Sequence, residues 1–246
     1  MSWIYFSPHF DDVALSCGGL VWEQTHAGEK VNIWTVCAGG PPPGDLSPFA
    51  QELHSRWKMS QNAPAQRMAE DITSCHRLGA GYQHFSIPDC IYRRNPQTDE
   101  LMYPSEAALN GPLHPGDAEV VDDLLKDFRA LLPADVILIC PLALGNHVDH
   151  QLTRMAAQGL GRKCWYYADF PYVLRFKEQL DRLQSEGWET RIFRISQRGL
   201  SRWQESISAY RSQISTFWPS EHAMRQAVSD YLQGDGGVSL WSKPAA

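Results

Sequence analysis

The sequence predicts an α/β protein whose sheet is mainly parallel. Short apolar runs at 2–6, 31–37 and 135–140 are typical of strands that are buried on both faces. A helix-length segment, 12–26, separates the first two runs, and the order strand, helix, strand is that of a βαβ unit. Such a unit implies parallel strands joined by a right-handed crossover. We therefore expect one Rossmann-like domain with three layers, covering residues 1–246.

The alternation of helices and strands continues through the first half of the chain. Gly and Pro dominate residues 38–45, which predicts an irregular loop. Helices are predicted at 47–60 and 65–78, and a short third strand at 82–87. The polar segment 91–115 is too long for a simple connection, and loops of that length are usually functional or disordered.

The second half repeats the pattern with weaker signals towards its end. An amphipathic helix at 117–132 leads into the apolar strand 135–140, and a helix at 149–160 leads into a strand at 164–168. The elements predicted after these are a strand at 190–195, helices at 200–216 and 220–233, and a last strand at 238–241.

Composition and charge limit the classes of function. The chain is 43% hydrophobic and 20% charged, which is ordinary for a globular protein, and six scattered cysteines without Cys-x-x-Cys spacing favour reduced thiols. The net charge of −6 gives no general electrostatic reason to bind nucleic acid. No signal peptide and no run of the roughly 20 apolar residues that span a bilayer is recognisable. We expect a cytoplasmic protein without a nucleic-acid partner or a membrane span, either monomeric or a homo-oligomer.

Two groups of histidines and carboxylates follow two of the predicted strands. The first group is His9, Asp11 and Asp12, and the second is His147, Asp149 and His150. Because the carboxyl ends of parallel strands meet at one edge of the sheet, both groups are expected there. Two histidines and one carboxylate, with a position left for water, form a usual ligand set for catalytic zinc. Non-haem Fe(II) uses the same set, so ligand type alone does not fix the metal.

Each of these residues also has a structural explanation when it is taken alone. An Asp at a helix start often caps the helix, which would account for Asp11 or Asp149, and His147 in a loop often bonds only to backbone. The joint occurrence of both groups at the same sheet edge is what favours a functional site.

The motifs resemble those of the PIG-L/LmbE-like metal-dependent de-N-acetylases. Residues 8–12 read Pro-His-Phe-Asp-Asp and are followed by Gly18 and Gly19, which is similar to that family's first signature. Residues 147–150 read His-Val-Asp-His and resemble its second signature. Residues 67–80 carry Arg-Met-Ala-Glu-Asp and then Leu-Gly-Ala, which is similar to the family's intervening helix.

The resemblance implies a fold, a reaction and a set of roles. The fold would be LmbE-like, and the activity would be removal of an N-acetyl group from a small N-acetylglucosamine-containing conjugate, with Zn²⁺ or Fe²⁺. The metal ligands would be His9, Asp12 and His150. Asp11 would be the general base that deprotonates the metal-bound water. His147 would stabilise the oxyanion or protonate the leaving amine, Asp149 would orient His147, and Arg67 would contact the substrate.

Other interpretations remain open from the sequence. A metal-dependent hydrolase of another amide or of a phosphoester would use the same ligands, and Arg93 and Arg94 would serve a phosphate or an acidic sugar unless they are merely solvated. A non-catalytic sugar- or nucleotide-binding module on a Rossmann-like sheet is disfavoured, because the first strand–helix turn lacks Gly-x-Gly-x-x-Gly.

Overall fold

The protein is described by a computed structural model that covers residues 1–57 and 63–244, except for the side chain of Asp235. The strands within these residues are β1 (Ser2–Ser7), β2 (Lys30–Thr35), β3 (Gly81–His84), β4 (Ile137–Pro141), β5 (Cys164–Tyr167), β6 (Glu189–Phe193) and β7 (Val238–Ser242). The α-helices are α1 (Asp12–His26), α2 (Pro48–Arg56), α3 (Ala63–Leu78), α4 (Glu106–Leu109), α5 (Ala118–Leu131), α6 (Val148–Gln158), α7 (Lys177–Ser185), α8 (Gln197–Ile207), α9 (Arg211–Phe217) and α10 (Glu221–Asp235).

All seven strands form one sheet in the order β3-β2-β1-β4-β5-β7-β6. The strands from β3 to β5 are parallel to their neighbours, whereas β7 runs antiparallel to both β5 and β6. The chain order reverses between β1 and β4, which lie side by side. A reversal of this kind opens a crevice beyond the carboxyl ends of the two strands, so the sheet has its switch point there.

Helices cover the sheet and make it the middle layer. On one side α1 packs against α3 and α8, and on the other α5 packs against α6. Strands β1, β2, β4 and β5 are mostly buried, as apolar runs of this type require, whereas the edge strand β3 is largely exposed. The predicted fold class, a Rossmann-like mainly parallel α/β sheet, is confirmed.

The contact between α1 and α8 depends on two glycines. A Cβ atom on Gly18 would lie 2.5 Å from the ring of Trp203, and one on Gly19 would lie 2.8 Å from it. The indole of Trp203 is fully buried and donates a hydrogen bond of 2.7 Å to the carbonyl of Ala14. The glycines therefore allow the close approach of α8 to α1.

Three details differ from the predicted elements. The helix expected at 200–216 is two helices, because the chain turns at residues 208–210 so that the rings of both Trp203 and Tyr210 are buried. Helix α7 was not predicted, and it buries no residue fully. The helix expected at 47–60 ends at Arg56, and residues 58–60 lie outside the described residues.

The long segment 91–115 contributes to a second, smaller core. It contains α4, and its apolar side chains pack with α2 and with Val148 at the start of α6. This packing places the segment against the crevice at the switch point.

None of the described helices combines the length and apolarity needed to cross a bilayer. Cytoplasmic location and oligomeric state stay predictions.

Candidate metal centre and cleft

The two predicted groups meet at the switch point of the sheet. The first follows β1 and runs into α1, and the second follows β4 and runs into α6. The ring centroids of His9 and His147 are 4.9 Å apart, and those of His9 and His150 are 5.4 Å apart. The two groups lie close together, as predicted, although some 140 positions separate them along the chain.

Three of these side chains direct donor atoms at one point. Asp12 Oδ2 lies 3.2 Å from His9 Nδ1 and 3.4 Å from His150 Nε2, and all three residues could hold one metal ion. Tetrahedral bonds of about 2.0–2.1 Å, as zinc makes to nitrogen and oxygen, separate neighbouring ligand atoms by roughly 3.3 Å. Both distances from Asp12 Oδ2 are close to this value.

Each candidate histidine ligand also contacts a carboxylate through its other ring nitrogen. His150 Nδ1 lies 2.6 Å from Asp169 Oδ1, and His9 Nε2 lies 2.9 Å from Asp149 Oδ2. Carboxylates in this position set the ring orientation and raise the basicity of a metal-binding histidine. Burial acts to lower the pKa of His150, but Asp12 and Asp169 outweigh it and raise that pKa to about 10. A cation on Nε2 would take the place of the proton.

When the histidines are neutral, as metal ligands are, the carboxylates around this point outnumber the guanidinium groups. Two guanidinium groups, those of Arg67 and Arg93, lie among the buried carboxylates. The buried carboxylates are those of Asp11, Asp12, Asp89, Asp149 and Asp169. Buried charges need partners, and a divalent ion is often the largest charge in a site of this kind.

The hydrogen bonds of the Asp149 carboxylate lead to residues other than His147, and the predicted orienting role stays a prediction. The carboxylate oxygens bond to His9 and Arg93 and accept a hydrogen bond of 3.1 Å from the backbone N–H of Cys90. The guanidinium of Arg93 is buried between Asp149 and Asp117. Asp149 is therefore linked to His9, one of the candidate ligands.

His147 instead uses its ring to cap α6. Its Nδ1 accepts a hydrogen bond of 3.3 Å from the backbone N–H of Asp149, which leaves the proton of the neutral ring on Nε2. Burial and the neighbouring His9 lower the pKa of His147 to about 3. The ring is thus a neutral donor at the edge of the cleft.

The side chain of Asp11 makes no capping hydrogen bond, although Asp11 occupies the N-cap position of α1. Its Oδ1 lies 3.6 Å from Nη2 of Arg67, and its side chain lines the cleft. Burial and the adjacent Asp12 raise the pKa of Asp11 to about 6, against the opposing effects of Arg67 and His9. Asp11 is therefore a carboxylate close to the candidate metal point that is not needed to hold the helix.

The site opens into a cleft of about 500 Å³, a volume suited to a small molecule. Its walls come from α2, α4 and α9 and from the segments that follow β3 and β5. Arg67 lines the cleft, with Nη1 3.8 Å from Asp89 Oδ2 and the guanidinium 4.8 Å from the ring centre of Trp57. Arg67 can thus contact a bound molecule together with Asp89.

Three residues of the site were not predicted from the sequence. Asp169 follows β5 on the same sheet edge, so strand-end reasoning was sufficient to find it. Asp89 follows the short strand β3 after a few residues and gave a weaker signal of the same kind. Arg93 was expected to bind a phosphate or to be solvated, and it is buried in ion pairs instead; Arg94 is at the surface, where it pairs with Asp99.

The fold and this cluster define the class: an α/β protein with a candidate divalent-metal site at the switch point of its sheet. The sequence profile of the PIG-L family, described as GlcNAc-PI de-N-acetylase, matches residues 4–159. This chain belongs to that family, as the motifs indicated.

Known proteins extend the likeness beyond the matched region. A 2'-N-acetylparomamine deacetylase of Niallia circulans is 28% identical over 214 residues, which are 76% of this chain and 72% of that protein. A 2'-N-acetylparomamine deacetylase of Streptomyces fradiae is 31% identical over 68% of this chain, and the match spans only 56% of that protein's length. The solved structure of the zinc-inhibited form of teicoplanin deacetylase Orf2 has a TM-score of 0.83 at 23% identity, covering 98% of this chain and 97% of that one.

Proposed function

We propose that this protein is a metal-dependent N-deacetylase that hydrolyses the acetamide of an N-acetylated amino-sugar conjugate. The observation that carries the proposal is the spacing of His9 Nδ1, Asp12 Oδ2 and His150 Nε2 around one point, with the uncommitted carboxylate of Asp11 beside it. Family membership and the two paromamine deacetylase relatives support the same reaction.

The ligands of the metal would be His9, Asp12 and His150, with Zn²⁺ as the proposed ion and Fe²⁺ as the alternative. Both ions accept two imidazoles and a carboxylate. When bound, such an ion lowers the pKa of water and polarises a carbonyl group. Asp149 and Asp169 would act as positioning residues, since each accepts a hydrogen bond from the far nitrogen of one histidine.

Asp11 would act as the general base. A base must lie within reach of the attacking water and must be free to take its proton. Asp11 lines the cleft, stands next to the candidate ligand Asp12 and caps no backbone group with its side chain. The neighbouring guanidinium of Arg67 would stabilise the carboxylate between turnovers.

His147 would be a neutral donor to the oxygen that becomes negative in the tetrahedral transition state. Its Nδ1 accepts the backbone hydrogen bond that caps α6, so Nε2 carries the proton and is available to a substrate. A preorganised donor of this kind is typically worth about 3–4 kcal/mol. Of the two roles open to His147 from the sequence, this geometry supports oxyanion stabilisation.

The sugar would occupy the cleft next to Arg67 and Asp89, with the rest of the conjugate against α9. Hydroxyl and amide groups of Ser215, Thr216 and Gln213 line that wall, together with the ring of Phe217. Neutral hydrogen-bonding groups beside an aromatic ring suit the hydroxyl-rich and apolar faces of a sugar conjugate.

We infer that the strands and helices that build the sheet, the metal site and the cleft form one domain over residues 1–246.

Release of acetate is the direct test. The full chain, loaded with Zn²⁺ or Fe²⁺ after chelation, is incubated with N-acetylglucosamine and 2'-N-acetylparomamine, and free acetate and new primary amine are quantified. We expect equal amounts of the two products and no product without metal. A panel of phosphoesters is the control for the alternative hydrolase.

Phosphate release without acetate release would contradict the proposed reaction and leave the metal site in place. Absence of product from all amides and esters, together with no binding of either metal, would contradict both.

A further inference from the structure

Glu70 and Asp71 belong to a sequence motif of the family, yet neither is among the described residues that line the cleft. Both lie on α3, and Asp71 is fully buried. Glu70 accepts hydrogen bonds of 3.1 and 2.6 Å from the backbone N–H and the hydroxyl of Ser212. The pair thus contacts the beginning of α9, in the part of the chain beyond residues 4–159.

Asp71 reaches the candidate metal site through Tyr210. Its Oδ1 lies 2.7 Å from the Tyr210 hydroxyl, and its Oδ2 lies 2.7 Å from His84 Nε2. The same hydroxyl lies 2.8 Å from the carbonyl oxygen of Phe10. Tyr210 is 2% exposed, so water does not compete for its single hydroxyl proton, which is shared between the two acceptors.

The Phe10 carbonyl lies in the middle of the turn that carries the candidate ligands His9 and Asp12. A second polar side chain holds the preceding carbonyl, since the Ser7 hydroxyl donates a hydrogen bond of 2.6 Å to the carbonyl of His9. The turn is therefore tied at two successive carbonyl groups. Ser7 ties it from β1, and Tyr210 ties it from the C-terminal third.

We propose that Tyr210, oriented by Asp71, is a positioning residue that sets the turn bearing His9, Asp11 and Asp12. The inference rests on the assignment of His9 and Asp12 as metal ligands. Ligands must be held within about 0.5 Å of the productive geometry, and buried partners one step behind them commonly supply that restraint. Removal of the hydroxyl would leave the Phe10 carbonyl free to rotate and would shift the two ligands on either side of it.

Metal affinity of Tyr210→Phe tests the inference without any substrate. The full-length chain is freed of metal with a chelator and titrated with Co²⁺, whose visible absorption reports coordination geometry, and Kd is measured by competition. We expect Kd to rise by roughly tenfold, the lower end of the effect of residues behind a metal ligand, and the spectrum to change. The matched control is Tyr166→Phe, because Tyr166 is a buried tyrosine on β5 whose hydroxyl accepts one hydrogen bond from Gln158.

If Tyr210 had only a structural role, Tyr210→Phe would have a lower melting temperature but the Kd and the spectrum of the wild type. That result would overturn the inference. Asp71→Asn keeps the size of the side chain and is the second variant should the first not fold. We expect it to weaken Co²⁺ binding more than Tyr166→Phe does, and equal Kd values in these two variants would also overturn the inference. If the wild type itself binds no Co²⁺, the metal assignment fails and the inference fails with it.

Discussion

Asp149 and His9 lie 140 positions apart in the chain and are joined by a contact of 2.9 Å between Oδ2 and Nε2. The contact links the segment after β4 to the turn after β1, across the switch point of the sheet. It also leaves Nδ1 of His9 directed at Asp12. The two strand ends therefore depend on each other for the orientation of one ring.

Asp149→Asn is expected to weaken Zn²⁺ or Co²⁺ binding by about 10- to 100-fold, because an amide is a poorer partner for the far nitrogen of His9. The variant also deprives the buried guanidinium of Arg93 of a charged partner and should therefore unfold at a lower temperature. Metal affinity is measured by competition with a chromophoric chelator, and stability by thermal unfolding.

Asp117→Asn is the matched control for Asp149, because it removes the other carboxylate of Arg93 and makes no contact with His9. We expect it to lower stability without weakening metal binding. If both variants lost metal equally, Asp149 would act only through the general integrity of the ion pairs, and its positioning role would be wrong.

The meeting of the two clusters could be predicted because it depends only on strand order and on the rule that parallel strands end at one edge. Side-chain directions within the clusters could not. The spacing of His147 and Asp149 favours contact between the two side chains, but in the structure His147 accepts the backbone N–H of Asp149 as a helix cap, and the Asp149 carboxylate turns to His9. Sequence spacing does not decide between a cap and a side-chain pair.

Arg93 shows a second limit of sequence reasoning. Two adjacent arginines in a long polar segment have the pattern of a solvated surface, and Arg94 conforms to it. Arg93 is buried because Asp117 and Asp149, which come from two later segments, face it from both sides. Burial of a charge depends on partners that only the tertiary structure brings together.

Asp11→Asn is expected to retain metal and to lose turnover. Loss of a general base typically lowers kcat by about 10²- to 10⁴-fold, and the amide keeps the shape of the side chain. Acetate release from 2'-N-acetylparomamine gives kcat, and metal content is measured on the same sample. Glu106→Gln, at the rim of the cleft, loses only an exposed ion pair with Arg56 and should cost less than about fivefold. Loss of metal by Asp11→Asn would make Asp11 a ligand and exclude it as the base.

His147→Ala is expected to lower kcat by about 10²- to 10³-fold while metal affinity is retained, because it removes a donor to the transition state. The substitution also removes the cap of α6. His147→Asn separates the two effects, since Asn is a good N-cap but does not reach as far as the imidazole Nε2. Recovery of activity in the Asn variant would show that capping, and not donation from Nε2, is what the reaction needs.

Zn²⁺ is expected to raise the melting temperature, since it would bind the folded cluster and offset the excess of buried carboxylates. At a free concentration of 100 Kd the stabilisation is about 2.7 kcal/mol, or roughly 5–10 °C for a chain of this size. His150→Ala should abolish the shift, whereas His222→Ala, on the exposed face of α10, should keep it. An undiminished shift in His150→Ala would place zinc elsewhere.

Gly18→Ala is expected to destabilise the protein although Ala is the better helix former. The new Cβ would lie 2.5 Å from Trp203 Cδ1 and 3.0 Å from its Nε1, and the ring cannot move without losing its hydrogen bond to Ala14. Overpacking of this kind costs about 1–3 kcal/mol.

Gly234→Ala is the matched substitution, because Gly234 lies inside α10 with no neighbouring atom within 4 Å of the added Cβ. There Ala should stabilise the protein by about 0.4–1 kcal/mol. Denaturant unfolding of both variants measures the difference. Equal stability of the two would mean that Trp203 moves away from α1 freely, and the close approach of α1 and α8 would then not require glycine.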